Sequence, residues 1–170
     1  KDGLLRLHYQ PILRVADNAV VGAEALLRWN DAEHGNVSPK VFIALAEESG
    51  LIHELGEWVL RTAALQCAAW RHAGRMLTVS INLSGRQFYR DDIAQRISDI
   101  VRGAGCDPSW IELEVTETSL LHDVDEIRKA LRALRSDGFT VAIDDFGTGY
   151  SSLTHLKHFP IDTLKIDISF

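Results

Sequence analysis

Acidic and amide side chains recur at the ends of apolar, strand-like stretches, and this arrangement limits what the chain can fold into. The stretches are VVGAEALLRW with Glu24, VSINLS with Asn82, IELEVTE with Glu114 and Glu117, FTVAIDDF with Asp144 and Asp145, and TLKID with Lys165 and Asp167. Segments of helical periodicity lie between most of them. Strands alternating with helices give a largely parallel α/β sheet, and in a closed barrel the loops after the strands build the active site. Acids gathered there repel one another and shift toward protonation unless a cation joins them. Mg²⁺ or Mn²⁺ with a phosphate substrate would resolve that tension.

The 170 residues are enough for one substantial core. A net charge of −6 argues against a DNA or RNA polymer as partner, since surfaces that bind polymers are usually basic, but it allows a small nucleotide held through metal ions. No apolar run approaches the roughly 20 residues that span a bilayer, and no signal-peptide pattern is present. The domain is therefore expected in the cytoplasm, which leaves open anchoring of a parent protein through regions outside this chain. Cys67 and Cys106 form no CxxC pair and are read as reduced, structural thiols. Lys1 opens the chain without a methionine, and Phe170 falls inside or just after an apolar strand. A complete eight-stranded barrel takes about 250 residues, so residues 1–170 are expected to be one domain incomplete at its C-terminus, ending after about the sixth strand.

Leu4–Val15 and Val20–Trp29 read as strands whose short link favours an antiparallel hairpin over a parallel pair. Ser38-Pro39 starts a helix to about Ser49, with Ser38 as N-cap, and Gly50 stops it. A second helix covers about Ile52–His72. Strands at Met76–Leu83, Ile111–Thr116, Phe139–Asp144 and Thr163–Ile168 alternate with helices at about Asp91–Gly103, Val124–Ser136 (capped by Asp123) and Leu153–His158.

Period-two alternation puts Glu24, Leu26 and Arg28 on one strand face, where a carboxylate and a guanidinium suit a metal and a phosphate, or simply one another as a salt bridge. By the same parity Glu112, Glu114 and Thr116 share a face, and so do Lys165 and Asp167. Asn82 is an oxygen donor or a turn former. Asp144-Asp145 can present carboxylates to two metal ions, or form a polar turn, and Gly147 and Gly149 suit a loop that approaches a ligand closely. The GxxxxGK[ST] spacing of a P-loop is absent. The seven histidines show no HExxH or comparable spacing and are read as surface or packing residues.

Together these segments resemble the EAL-domain family of cyclic di-GMP phosphodiesterases. The resemblance runs through Tyr9-Gln10-Pro11-Ile12, Glu24-Ala25-Leu26, Leu45-Ala46-Glu47, the Asn82 segment, Glu114-Val115-Thr116-Glu117, Asp144 to Gly149 and Lys165-Ile166-Asp167. It implies a modified TIM (β/α)8 barrel with one antiparallel strand, and opening of cyclic di-GMP to linear pGpG with two Mg²⁺ or Mn²⁺ ions. It further implies metal ligation by Glu24, Asn82, Glu114 and Asp144, with Asp145 serving a second ion. Lys165 would hold or polarise the attacking water, and Glu117 would anchor the Asp145–Ser152 loop, itself near a homodimer contact. Gln10, Leu26 and Arg28 would touch substrate. Fused GGDEF or sensory domains would lie outside this chain. The alternative is an inactive cyclic di-GMP receptor, but such members commonly lose metal ligands, and here each expected ligand in the span is present. The family carries a further catalytic Glu and a Gln-Gly segment beyond the equivalent of Phe170, and a basic residue where Ile168 stands. Without the later segments, a protein of these 170 residues alone is expected to be inactive and to cover its open sheet edges by self-association.

Overall fold

The computed structural model describes residues 4–121, 124–147 and 159–169. β1 (Leu5–Leu13) and β2 (Val20–Asp31) pair antiparallel, with Gln10 opposite Glu24, His8 opposite Leu26 and Arg6 opposite Arg28. Asp17 closes the hairpin by accepting from both Arg14 Nη2 and Ala19 N. β3 (Gly35–Val37) folds back onto the end of β2. It is followed by α1 (Pro39–Ser49), α2 (Ile52–His72), β4 (Thr78–Leu83), α3 (Ile93–Gly103), β5 (Ile111–Thr116), α4 (Val124–Ser136), β6 (Thr140–Phe146) and β7 (Thr163–Ile166). Short 3-10 turns at Gly85–Tyr89, Pro108–Trp110 and Glu117–Leu121 join them. The sheet runs β1-β2-β4-β5-β6-β7, with β3 attached to β2, and is parallel from β2 onward.

Strand parity divides the sheet into two faces. Val79, Ile81, Leu83, Ile111, Leu113, Val115, Val141 and Ile143 turn toward the helices and are buried with Leu60, Ala63, Ile97, Leu131 and Leu134. Burying one such Leu or Ile side chain is worth about 1.5–3 kcal/mol, so this layer supplies most of the fold's apolar stabilisation. The opposite face carries Glu24, Ser80, Asn82, Glu112, Glu114, Asp144, Thr163 and Lys165. Polar residues survive there because they bond to one another: Glu112 accepts from Ser80 Oγ at 2.8 Å and from Thr163 Oγ1 at 2.9 Å.

Among the described residues the expected strands and helices are present, β3 and the 3-10 turns are additional, and several boundaries move. Ser38 occupies the N-cap of α1 but makes no side-chain capping bond. α3 begins at Ile93 instead of Asp91, because the 3-10 turn with its Ser84–Gln87 capping box takes up the preceding segment. β4 starts at Thr78 instead of Met76, and β7 ends at Ile166 instead of Ile168. β6 continues past the two aspartates to Phe146, through an irregularity in register between Ile143 and Phe146. The expected Asp123 cap, the Leu153–His158 helix and Thr148–Ser152 of the Gly-rich loop lie outside the described residues. Cys67 and Cys106 are free and buried. No helix among the described residues is long and apolar enough to cross a membrane.

Candidate active site

The parallel strands deliver their polar residues to one end of the sheet. Register places Asn82 beside Glu114 and Thr116 beside Asp144, while Glu24 sits level with Ser80 on the adjoining strand. The carboxylates of Glu24, Glu114 and Asp144 converge, each offering an oxygen within 4.8 Å of the others. Lys165 on β7 reaches into the group: its Nζ lies 3.2 Å from Glu24 Oε2, 2.5 Å from Glu114 Oε2 and 3.2 Å from Asp144 Oδ1. Asn82 Nδ2 donates to Glu24 Oε1 at 3.0 Å. Glu24 therefore turns to Lys165 and Asn82, not to Arg28, which instead donates to Leu27 O at 2.9 Å. An interior Glu24–Arg28 salt bridge is not formed.

One ammonium among three carboxylates leaves the cluster negative, and its residues bear the strain unequally. Glu114 has a fully buried side chain, and burial is the main reason its carboxyl is pushed up to about 7, the neighbouring Glu24 and Asp144 charges adding to the shift while Lys165 opposes it. Burial alone would lower Lys165, but the hydrogen bond to Glu114 and the surrounding carboxylates outweigh it and hold the amine above its ordinary range. Glu114 Oε1 is buried without a hydrogen-bond partner. A buried carboxylate oxygen left unpaired costs about 1–3 kcal/mol or more, and the same side chain stands beside two further carboxylates. Oxygen-only donors, excess negative charge and an orphaned ligand atom fit a hard divalent cation.

The next loop is held from below. Asp145 adopts φ 54°, a left-handed conformation that Asp tolerates better than most residues. The chain thus turns as it leaves the irregular stretch of β6, and such irregularities re-aim side chains beside active sites. Asp145 is exposed and outside the convergent triad, and burial together with the Asp144 and Asp167 charges raises its carboxyl above the usual range. Gly147 follows with φ 100° and donates its backbone N–H to Glu117 Oε2 at 3.0 Å. Glu117 is 1% exposed, so it ties the loop to the interior.

The remaining expected residues lie along the hairpin. Gln10 is opposite Glu24 and exposed, Leu26 is half-buried opposite His8, and Arg28 lies four residues beyond Glu24 on the same face. The sequence reading assigned no role to Glu112, which braces Ser80 and Thr163 beneath the cluster, although strand parity had already placed it on that face. It also overlooked Arg6, whose period-two relation to His8 and Gln10 marks the same face.

Comparisons with known proteins agree with this geometry. The family model described as EAL domain matches residues 1–170. An uncharacterized signaling protein of Caulobacter vibrioides is 44% identical over 169 residues, which cover 99% of this chain and 20% of that protein. The cyclic di-GMP phosphodiesterase NbdA of Pseudomonas aeruginosa is 42% identical over 171 residues, covering all of this chain and 22% of its own length. Among solved structures, the PaMucR phosphodiesterase in its c-di-GMP complex superposes with a TM-score of 0.91 at 41% identity, covering 96% of this chain and 67% of that one. The sheet is thus part of a TIM-barrel-like fold. The chain spans about a fifth of the length of the curated relatives it matches.

Proposed function

The chain belongs to the EAL-domain family, and from that premise we propose that the protein containing it hydrolyses cyclic di-GMP to linear pGpG with the help of two divalent ions, Mg²⁺ or Mn²⁺. The observation that carries the proposal is the convergence of Glu24, Glu114 and Asp144 around Lys165, with a buried Glu114 oxygen unpaired. In this reading Glu24, Asn82, Glu114 and Asp144 hold one ion, and Asp145 helps to hold the other. The ions supply Lewis-acid chemistry at the phosphodiester.

The chain's own residues do the rest. The carboxylates around Lys165 favour its charged form, in which it donates its N–H groups and positions the attacking water or a phosphoryl oxygen. Water adds to phosphorus, the bond to the 3′ oxygen breaks, and that oxygen leaves protonated as the 3′-hydroxyl, giving a linear product with a 5′-phosphate. Glu117 fixes Gly147 and with it the turn that carries Asp145. Gln10, Leu26 and Arg28 line the substrate's path along the hairpin. The homodimer contact expected through the Asp145–Ser152 loop falls mostly outside the described residues.

Chromatography of products after incubating the protein with cyclic di-GMP tests the proposal. With Mg²⁺ or Mn²⁺ a pGpG peak is expected, and with EDTA it should vanish. Binding without conversion in saturating metal would favour the receptor alternative.

A further inference from the structure

The β1–β2 hairpin continues past the ends of the parallel strands. β2 pairs with β4 only as far as Ala25, yet runs on to Asp31, where β3 joins it. On the face that carries Glu24, the following residues are Leu26, Arg28 and Asn30. Four residues of strand cover about 13 Å, so Arg28 and Asn30 stand well out from the acid cluster. There Arg6 lies directly opposite Arg28, and Asn30 directly opposite Asn36. With His8, these residues line a cavity of about 440 Å³.

Two guanidiniums opposite each other destabilise a hairpin unless something between them accepts their protons. Arginines elsewhere in the chain find carboxylates, as Arg96 does on Glu57 and Arg135 on Asp162. Arg6 and Arg28 form no ion pair among the described residues. The cavity's polar groups are therefore dominated by donors, with two amides that both donate and accept. Guanine offers a matching edge: O6 and N7 are adjacent acceptors that a guanidinium meets with two N–H groups, and its N1–H and N2–H₂ suit an amide oxygen.

We infer that Arg6, with the Asn30–Asn36 pair, forms a guanine-reading pocket that holds the distal base of the dinucleotide. Nothing in the resemblance or the comparisons assigns these residues a role. The inference rests on the functional reading above, because that reading places the phosphodiester at the acid cluster and leaves a base to extend along the hairpin. Adenine carries an amino group where guanine carries O6, so it offers Arg6 a single acceptor, N7, in place of two.

The test compares wild type with Arg6→Gln, an exposed position whose change leaves the core untouched. The readouts are KM for cyclic di-GMP and the competitive inhibition constant of cyclic di-AMP, both with Mn²⁺. In the variant the KM for cyclic di-GMP should rise about tenfold or more while the cyclic di-AMP constant moves by less than about threefold, because only the guanine contact is lost. Equal weakening of both ligands would mean a phosphate contact or a damaged fold, and no weakening would mean no contact. Either result overturns the inference while leaving the phosphodiesterase reading standing. If the wild type binds cyclic di-GMP without hydrolysing it, isothermal titration with the two dinucleotides makes the same comparison. A wild type that neither binds nor hydrolyses it removes both readings together.

Discussion

Glu114 and Lys165 occupy the same cluster but respond to opposite perturbations. Folding buries Glu114 and raises its carboxyl from 4.5 to about 7, so between those values the folded chain binds a proton that the unfolded chain does not. Stability of the metal-free protein from this group is full below about pH 4.5 and is lost as pH rises through about 7. Urea unfolding in EDTA at pH 5.5 and pH 8 should show this loss in wild type and a flatter dependence in Glu114→Gln; an unchanged dependence would mean that the group titrates elsewhere. The proton and a divalent cation compete for the same carboxylate, so metal affinity should climb over the same interval and binding should release protons. Lys165→Ala and Asp144→Asn separate the cluster's two tasks. Asp144→Asn should weaken metal binding and abolish turnover, because a ligand loses its charge. Lys165→Ala should keep or strengthen metal binding, since a resident cation leaves three carboxylates behind, while kcat falls roughly 10²–10³-fold with the loss of a positioned donor. Isothermal titration with Mn²⁺ beside product assays distinguishes these outcomes, and equal loss of metal binding in both variants contradicts the assigned roles.

At the scale of elements, the site depends on contacts that hold strand ends in register. Gln87 is buried, accepts from Ser84 N at 2.9 Å and lies against Gly56 of α2; a Cβ at Gly56 would meet Gln87 Cδ at 2.9 Å. Gly56→Ala gains about 1 kcal/mol of helix propensity, but overpacking a filled position costs about 1–3 kcal/mol, so the melting temperature should fall. A rise would mean that Gln87 swings aside freely and that the capping box does not depend on it. Alternation made the faces of β2 and β5 legible from sequence, because period two needs no knowledge of neighbours: Glu24 shares a face with Leu26 and Arg28, and Glu114 with Glu112. The irregularity at Asp144-Asp145 was not legible, since it exists only in the register of β6 against β7. β3 was missed because three residues carry no periodicity, and its pairing with β2 is what brings Asn36 opposite Asn30. The start of α3 moved from Asp91 to Ile93, with Asp92 at its N-cap and no side-chain bond to fix it.

Over the whole molecule, charge follows architecture. The helices and the apolar face of the sheet form the core, which frees the other face to gather acids at the strand ends and arginines along the projecting hairpin. That polarity suits a ligand with a phosphodiester at one place and a base further out. The reading depends above all on whether the acid cluster is a metal centre. The most direct measurement is anomalous diffraction from crystals soaked in Mn²⁺. The account predicts an anomalous peak at about 2.0–2.2 Å from carboxylate oxygens of Glu24, Glu114 and Asp144, with Glu114 Oε1 among the ligands and Lys165 moved away from at least one of its three partners. Saturating Mn²⁺ with no peak there, and Lys165 still bound to all three carboxylates in a protein that opens cyclic di-GMP, would contradict it.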